Sequence, residues 1–325
     1  MYDYCEERGI VVERCGKLVV ATSESELEGL AELQRRGVAN GVPGLRWIDE
    51  TGIRDVEPHV RGLRALHVPS AGIVDYAAVS RAFASDVVAL GGEIRYGSPV
   101  TGLRLVGDHV NVRMRAGAIE AETLIGCAGL WSDRLAALVG ASPSPRIVPF
   151  RGDYYRLRAE RRPAVHGLIY PVPDPRFPFL GIHFTRRTDG DVWLGPNAVL
   201  AFARDGYRRT DVRWADVAEL IASQGFRRLA RRHWRTGVSE LWRDISKSAF
   251  VGELRRYMPD LRAGDLVPGP SGVRAQAVGD DGGLIDDFVV DVVGRVVNVR
   301  NAPSPAATSS LAIATEIVDR VNAVV

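Results

Sequence analysis

Ala121-Glu-Thr-Leu-Ile-Gly-Cys-Ala-Gly129, followed by Leu130-Trp-Ser-Asp-Arg-Leu-Ala-Ala-Leu138, reads as a buried strand, a tight turn of small residues and a helix. In a doubly wound sheet this junction is where a cofactor approaches backbone N–H groups. The same residues also suit an ordinary strand–helix junction. Upstream, Lys17–Ala21 reads as a strand, and Ser23-Glu-Ser-Glu26 as a capping box opening a helix that stops at Gly37. Tyr76–Leu90 has helical spacing and ends at Gly91-Gly92, and strand-like runs follow at Glu93–Tyr96, Val100–Leu105 and Val110–Arg115. From Ile147 to Gly195 aromatic and β-branched residues alternate between prolines, the texture of an inserted antiparallel sheet. Trp214 to Tyr257 returns to helix; Gly272–Ala277, Phe288–Val292 and Arg295–Val299 read as strands; and a loop of small residues and prolines from Arg300 to Ser310 opens a last helix.

The chain has 325 residues, enough for about two domains at roughly 150 residues each. Its 46% hydrophobic and 25% charged residues exclude a disordered tail, a collagen repeat and a disulfide mini-scaffold. No run approaches the roughly 18 apolar residues of a spanning helix; Leu311–Val325 comes nearest and is interrupted by Thr315, Glu316, Asp319, Arg320 and Asn322. A net charge of +2, from 42 basic and 40 acidic residues, argues against nucleic acid as the main partner. Only Lys17 and Lys247 are lysines. Cys5, Cys15 and Cys127 form no CxxC pair, which points to a reducing compartment. His59, His67, His109, His166, His183 and His233 show no ligand spacing, so no metal is expected.

Ten short runs, taken together and in order, resemble the FAD-dependent L-2-hydroxyglutarate dehydrogenases of the D-amino-acid-oxidase-like superfamily. They include Cys15-Gly-Lys-Leu, Asn40-Gly-Val-Pro-Gly-Leu45, Gly72-Ile-Val-Asp-Tyr76 and Cys127-Ala-Gly-Leu-Trp-Ser-Asp133. Arg146-Ile-Val-Pro-Phe-Arg-Gly-Asp-Tyr154, Ile169–Gly181, His183-Phe-Thr185, Trp193–Phe202, Gly272-Val-Arg-Ala-Gln276 and Val299–Ser310 complete the set. The resemblance implies an α/β fold with an α+β insert: an FAD-binding doubly wound domain and an antiparallel-sheet substrate domain. The FAD-binding part is expected over 1–15, 72–145 and 268–325, and the substrate part over 16–71 and 146–267. The family opens with a GxGxxG turn, which this sequence lacks. The chain thus reads as N-terminally truncated by about two βα units, roughly 70 residues, with apolar edges left for another chain to cover.

The resemblance implies oxidation of L-2-hydroxyglutarate to 2-oxoglutarate, with FAD as cofactor. A substrate with two carboxylates calls for an arginine at each end, and Arg151 and Arg274 are the expected pair. An ion pair of Arg151 with Asp153 is the alternative. His183 is the expected base, with a hydrogen-bonded core histidine as its alternative. Tyr154, Tyr170, Asn197 and Gln276 are expected at the substrate. For the cofactor, the resemblance points to Val100, Cys127, Ala128, Gly129 and Trp131. It also points to the loop of Arg300, Asn301, Pro303, Ser304, Pro305, Ala306 and Ala307, with Arg300 offered to the charge of the reduced ring. The electron acceptor it implies is a quinone or oxygen, and the expected location is the cytoplasm, with peripheral contact at the inner face of the cell membrane. A non-catalytic remnant, one half of a split flavoprotein, and an amino- or imino-acid oxidase of the same fold are the competing readings.

Overall fold

A computed structural model describes residues 1–173, 181–303 and 305–323. Among them, nine strands form one mixed sheet. Its order runs Val199–Leu200, Arg146–Leu157, Val192–Gly195, His183–Arg186, Leu168–Pro171, Lys17–Ala21, Arg64–Val68, Arg46–Asp49, and Leu266–Val278 also pairs with Arg146–Leu157. All pairs are antiparallel except Leu168–Pro171 with Lys17–Ala21. Leu18 to Ala21 is apolar on both sides, and both sides are covered. Leu18 and Val20 pack with Ile169, Phe184, Leu194, Phe250 and Met258, while Val19 and Ala21 pack with Leu30 and Leu66 beneath helix Leu27–Ala39. Burying such side chains fully contributes about 1.5–3 kcal/mol each.

A second sheet carries the quoted junction. Leu124–Gly126 runs parallel to Val296–Asn298, and Val289–Val293 pairs antiparallel on the far side. The other edge of Leu124–Gly126 has no strand partner among the described residues, and Ile125 is 42% exposed. Helix Tyr76–Ala89, capped by Asp75 accepting from the Ala77 N–H, buries only Val79 and leaves Val87 and Val88 exposed. A three-stranded antiparallel meander, Val100–Val106, His109–Met114 and Gly117–Ala121, and a two-stranded antiparallel pair, Val12–Glu13 with Ile73–Val74, complete the strands among the described residues. Leu266–Val278 crosses the boundary expected at 267/268 as one continuous strand.

Two local expectations are corrected. The helix after Ser23 does not stop at Gly37; it runs to Ala39. Gly37 sits inside it because a Cβ there would lie 2.6 Å from the Leu45 side chain. The glycine marks a close approach, not a terminus. Glu93–Tyr96 is not a strand. Its alternation finds no sheet to join: Tyr96 is 83% exposed, and Arg95 folds onto Glu93 in a surface ion pair. The capping box itself forms, with Glu26 accepting from the backbone of Thr22 and Ser23 ahead of a single 3-10 turn.

Candidate active site

The turn after Leu124–Gly126 and the loop after Val296–Asn301 face one another across a cavity of about 360 Å³. Cys127 and Gly129 line it from the first side, and Asn301, Ala306 and Ala307 from the second, with Ala275 between. Gly129 has φ +53°, a conformation that glycine adopts without strain. The volume lies at the low end of the range for ligand pockets, about 300–1,000 Å³. Its alanines and glycine let a ligand approach the backbone of both turns, and Ile147, Val299, Ile313 and Ile317 add an apolar wall. These residues fit part of a dinucleotide cofactor held by main-chain groups. The sequence contains no GxGxxG turn to hold the phosphates of the remainder.

Several expected cofactor contacts stand elsewhere. The Arg300 guanidinium does not face the cavity as a free charge. It is buried against Asp291 at 2.5 Å and donates to the Pro145 carbonyl, so it ties the strand down. The Asn301 amide donates to the carbonyls of Ile285 and Asp287. Trp131 is 37% exposed beneath the Arg134 guanidinium, and Val100 is 39% exposed. Neither lines the cavity; nor do Ala128, Pro303 and Pro305. Ser304 lies outside the described residues. Ala306→Asp places a carboxylate where a polyanionic cofactor approaches. FAD affinity, followed by quenching of flavin fluorescence, is expected to fall at least about tenfold. Unchanged affinity would remove the loop from the cofactor site.

A second constellation lies on one face of the large sheet. Tyr170 and His183 stack with ring centroids 4.1 Å apart and planes at 23°. Lys17 Nζ lies 4.3 Å from the centroid of the Tyr170 ring. Tyr154 packs on Trp193, over which the Arg187 guanidinium lies at 3.9 Å. His183 faces Gly195 in register, and Gly195 keeps the space beside Tyr154 open. At φ +135°, a Cβ on Gly195 would stand 3.1 Å from Tyr154 Cδ1 and 2.9 Å from the Asp153 carbonyl. The positive charge of Arg274 reaches Tyr154, Tyr170 and His183 alike.

The state of His183 follows from its surroundings. Nδ1 lies 3.0 Å from the Gly181 carbonyl. A carbonyl only accepts, so Nδ1 carries the proton and Nε2 keeps its lone pair. Burial pushes the imidazole down to about 4, with the charges of Arg274 and Lys17 acting in the same direction. The ring is therefore neutral near pH 7 and presents a proton acceptor.

The remaining substrate candidates do not join this group. Arg151 is buried and donates from Nε to Asp153 at 3.0 Å and to the Arg208 carbonyl. This is the ion pair with Asp153 that the sequence offered as the alternative to a carboxylate-gripping role. Asn197 Oδ1 accepts from the Asp153 N–H at 2.7 Å, and Gln276 donates to the carbonyl of Ala277. Each of the three is engaged with groups close to its own strand and not with Tyr170 or His183. The cation that sequence reasoning missed is Lys17. A signal was available: a chain with 42 basic residues uses lysine at only two positions, one of them in the quoted Cys-Gly-Lys-Leu run.

Between the cavity and the sheet sits a buried ionic hub. Asp133, at the start of helix Ser132–Ala137, receives Arg204 Nη1 at 2.6 Å, Arg204 Nη2 at 2.9 Å and the Ile147 N–H at 3.0 Å. Asp216 accepts from the Arg204 N–H, and Arg134 bridges Asp216 and Glu219. The hub fixes the turn at 127–131 to strand Arg146–Leu157 and helix Trp214–Ala222.

Residues 1–320 match the DAO family, described as FAD dependent oxidoreductase. The chain belongs to this family. Its cofactor is FAD. It is 45% identical over 320 residues to L-2-hydroxyglutarate dehydrogenase of Escherichia coli (strain K12), covering 98% of this chain and 76% of the relative. With the mitochondrial L-2-hydroxyglutarate dehydrogenase of Homo sapiens it shares 44% over 339 residues, covering 99% and 73%. The chain thus spans about three quarters of these relatives. In fold it is similar to the FAD-bound L-alpha-glycerophosphate oxidase of Mycoplasma pneumoniae (TM-score 0.76, 18% identity, 96% of this chain and 74% of that one). It is also similar to glycine oxidase of Geobacillus kaustophilus (TM-score 0.68, 17% identity, 98% and 75%).

Proposed function

We propose that the chain is an FAD-dependent dehydrogenase that oxidises L-2-hydroxyglutarate to 2-oxoglutarate. The observation that carries this reading is 44–46% identity to L-2-hydroxyglutarate dehydrogenases across 98–99% of the chain. The sheet face supports it, because a neutral imidazole lies within reach of two cationic side chains. Arg274 grips the carboxylate beside the reacting carbon. His183 Nε2 takes the proton of the C2 hydroxyl, and the Gly181 carbonyl holds the opposite nitrogen protonated throughout. Tyr154 and Tyr170, both raised chiefly by burial, stay as neutral hydroxyls beside the substrate. FAD, when bound, supplies the two-electron acceptor for the hydride leaving C2. The reading extends to a quinone or oxygen as final acceptor and to a cytoplasmic enzyme touching the inner face of the membrane. No helix among the described residues is long and apolar enough to cross a membrane.

A second reading, one half of a split flavoprotein, is favoured by the edge of Leu124–Gly126 that has no strand partner among the described residues and by the exposed Ile125. One experiment separates the two. Purified chain is mixed with FAD, freed of excess cofactor, and exposed anaerobically to L-2-hydroxyglutarate. A retained flavin band near 450 nm (roughly, as for any oxidised flavin) that bleaches supports the dehydrogenase. A chain that retains no flavin until a second, GxGxxG-bearing polypeptide is added supports the split form.

A further inference from the structure

We infer that Lys17 is the specificity residue for the distal carboxylate, the group that separates a C5 dicarboxylate from a monocarboxylic 2-hydroxy acid. The inference rests on the substrate reading above and deepens it. Lys17 opens strand Lys17–Ala21, on the face shared by Val19 and Tyr170 and opposite Leu18 and Val20. Helix Leu27–Ala39 covers Val19 and Ala21, and Lys17 stands at the uncovered end. Its ammonium lies against the Tyr170 ring, and Tyr170 in turn stacks on His183. The cation is thus within two ring-contact spacings of the base.

The Lys17 ammonium forms no hydrogen bond or ion pair with any described residue, and its contact is the Tyr170 ring. The other lysine, Lys247, donates to the Leu266 carbonyl. Burial pushes the Lys17 ammonium below the ordinary lysine range, and no carboxylate among the described residues opposes it. A half-buried cation whose company among the described residues is an aromatic face costs stability and gains most from an incoming anion. Arg274 meets His183 from the opposite direction along the sheet. Its strand, Leu266–Val278, is separated from Lys17–Ala21 by four others, Arg146–Leu157, Val192–Gly195, His183–Arg186 and Leu168–Pro171. A ligand with its reacting carbon at His183 meets a guanidinium on one side and an ammonium on the other. The planar fork of Arg274 suits the carboxylate adjoining the reacting carbon, and the compact ammonium of Lys17 suits the remote one.

The test is isothermal titration of the FAD-supplemented chain with 2-oxoglutarate and with 2-oxopentanoate, which lacks the distal carboxylate. The unaltered chain is expected to prefer 2-oxoglutarate by about 10–100-fold, the range of one charge-assisted contact. Lys17→Met is expected to shrink that preference to within about threefold and to leave 2-oxopentanoate binding unchanged; Lys17→Arg keeps most of it. Because an unpaired buried charge is removed, Lys17→Met should melt no lower than the unaltered chain. A preference that survives in Lys17→Met overturns the role of Lys17 while the dicarboxylate reading stands. An unaltered chain that binds both acids equally, or neither, overturns the dicarboxylate reading and the role of Lys17 with it. A lowered melting point in Lys17→Met with selectivity intact makes the residue a structural support for Tyr170 and overturns the inference.

Discussion

His183→Gln slows flavin reduction by L-2-hydroxyglutarate about 10²–10⁴-fold, the span that a positioned general base contributes. Glutamine is uncharged and places a flat amide against the Tyr170 ring near the position of Nε2, so the strand is kept while the basic lone pair is lost. Affinity for 2-oxoglutarate changes little, because the cations remain. Anaerobic stopped-flow absorbance gives the rate and titration gives the affinity. A variant that reduces flavin at the unaltered rate removes His183 from the chemistry. The pH profile adds an independent reading. With its pKa lowered from 6.5 to about 4, the imidazole stays neutral as pH falls past 6.5, and the acid limb of kcat/KM lies near 4. The same shift links to stability. Below 6.5 the unfolded chain takes up a proton that the folded chain refuses, so the protein loses stability from pH 6.5 down to about 4.

Asp133→Asn is the change expected to cost the fold most. Asp133 and Arg204 are 6% and 4% exposed and meet through two parallel N–H···O contacts. Neutralising one partner leaves the other's charge buried, at a cost of about 3–5 kcal/mol. For a chain of this size that lowers the melting temperature by roughly 10 °C. FAD affinity falls with it, since Asp133 also holds the Ile147 N–H and anchors the helix after the Cys127–Gly129 turn. The double replacement Asp133→Leu with Arg204→Met recovers part of the lost stability, because it removes the stranded charge. Calorimetry of the three proteins decides the matter. A melting temperature within about 2 °C of the unaltered chain for Asp133→Asn would mean that the hub does not hold the turn.

The α/β class and the inserted antiparallel sheet were legible because they rest on pattern. Leu18 to Ala21 is apolar throughout, as a strand covered on both faces must be, and the strand–turn–helix at Leu124–Ala137 follows from small residues between two apolar periods. The gathering of Tyr154, Tyr170, His183 and Arg274 was read from a family resemblance, and no local property of those residues predicts it. What the sequence left open was the use of side chains. Arg151 and Arg300 look like available charges in sequence, but Asp153 and Asp291 engage them, and nothing local says whether a neighbouring carboxylate will be the partner. Gly37 shows the same limit: a glycine reads as a helix stop until Leu45 is seen to need its missing side chain.

The placement of two cations near one buried imidazole has an energetic consequence for ligand binding. Arg274 and Lys17 both disfavour a protonated His183, so the empty site is electrostatically set against accepting a proton. A dianion that neutralises those cations removes the repulsion and strengthens the base when substrate is present to be deprotonated. By reciprocity, the same dianion binds more tightly as acidity rises toward the imidazole's own range, and its arrival draws a proton from solution. Calorimetric titrations of 2-oxoglutarate in buffers of differing ionisation enthalpy would register that uptake as a buffer-dependent heat. In the proposed reading, the site is a base whose strength is set by its own cargo.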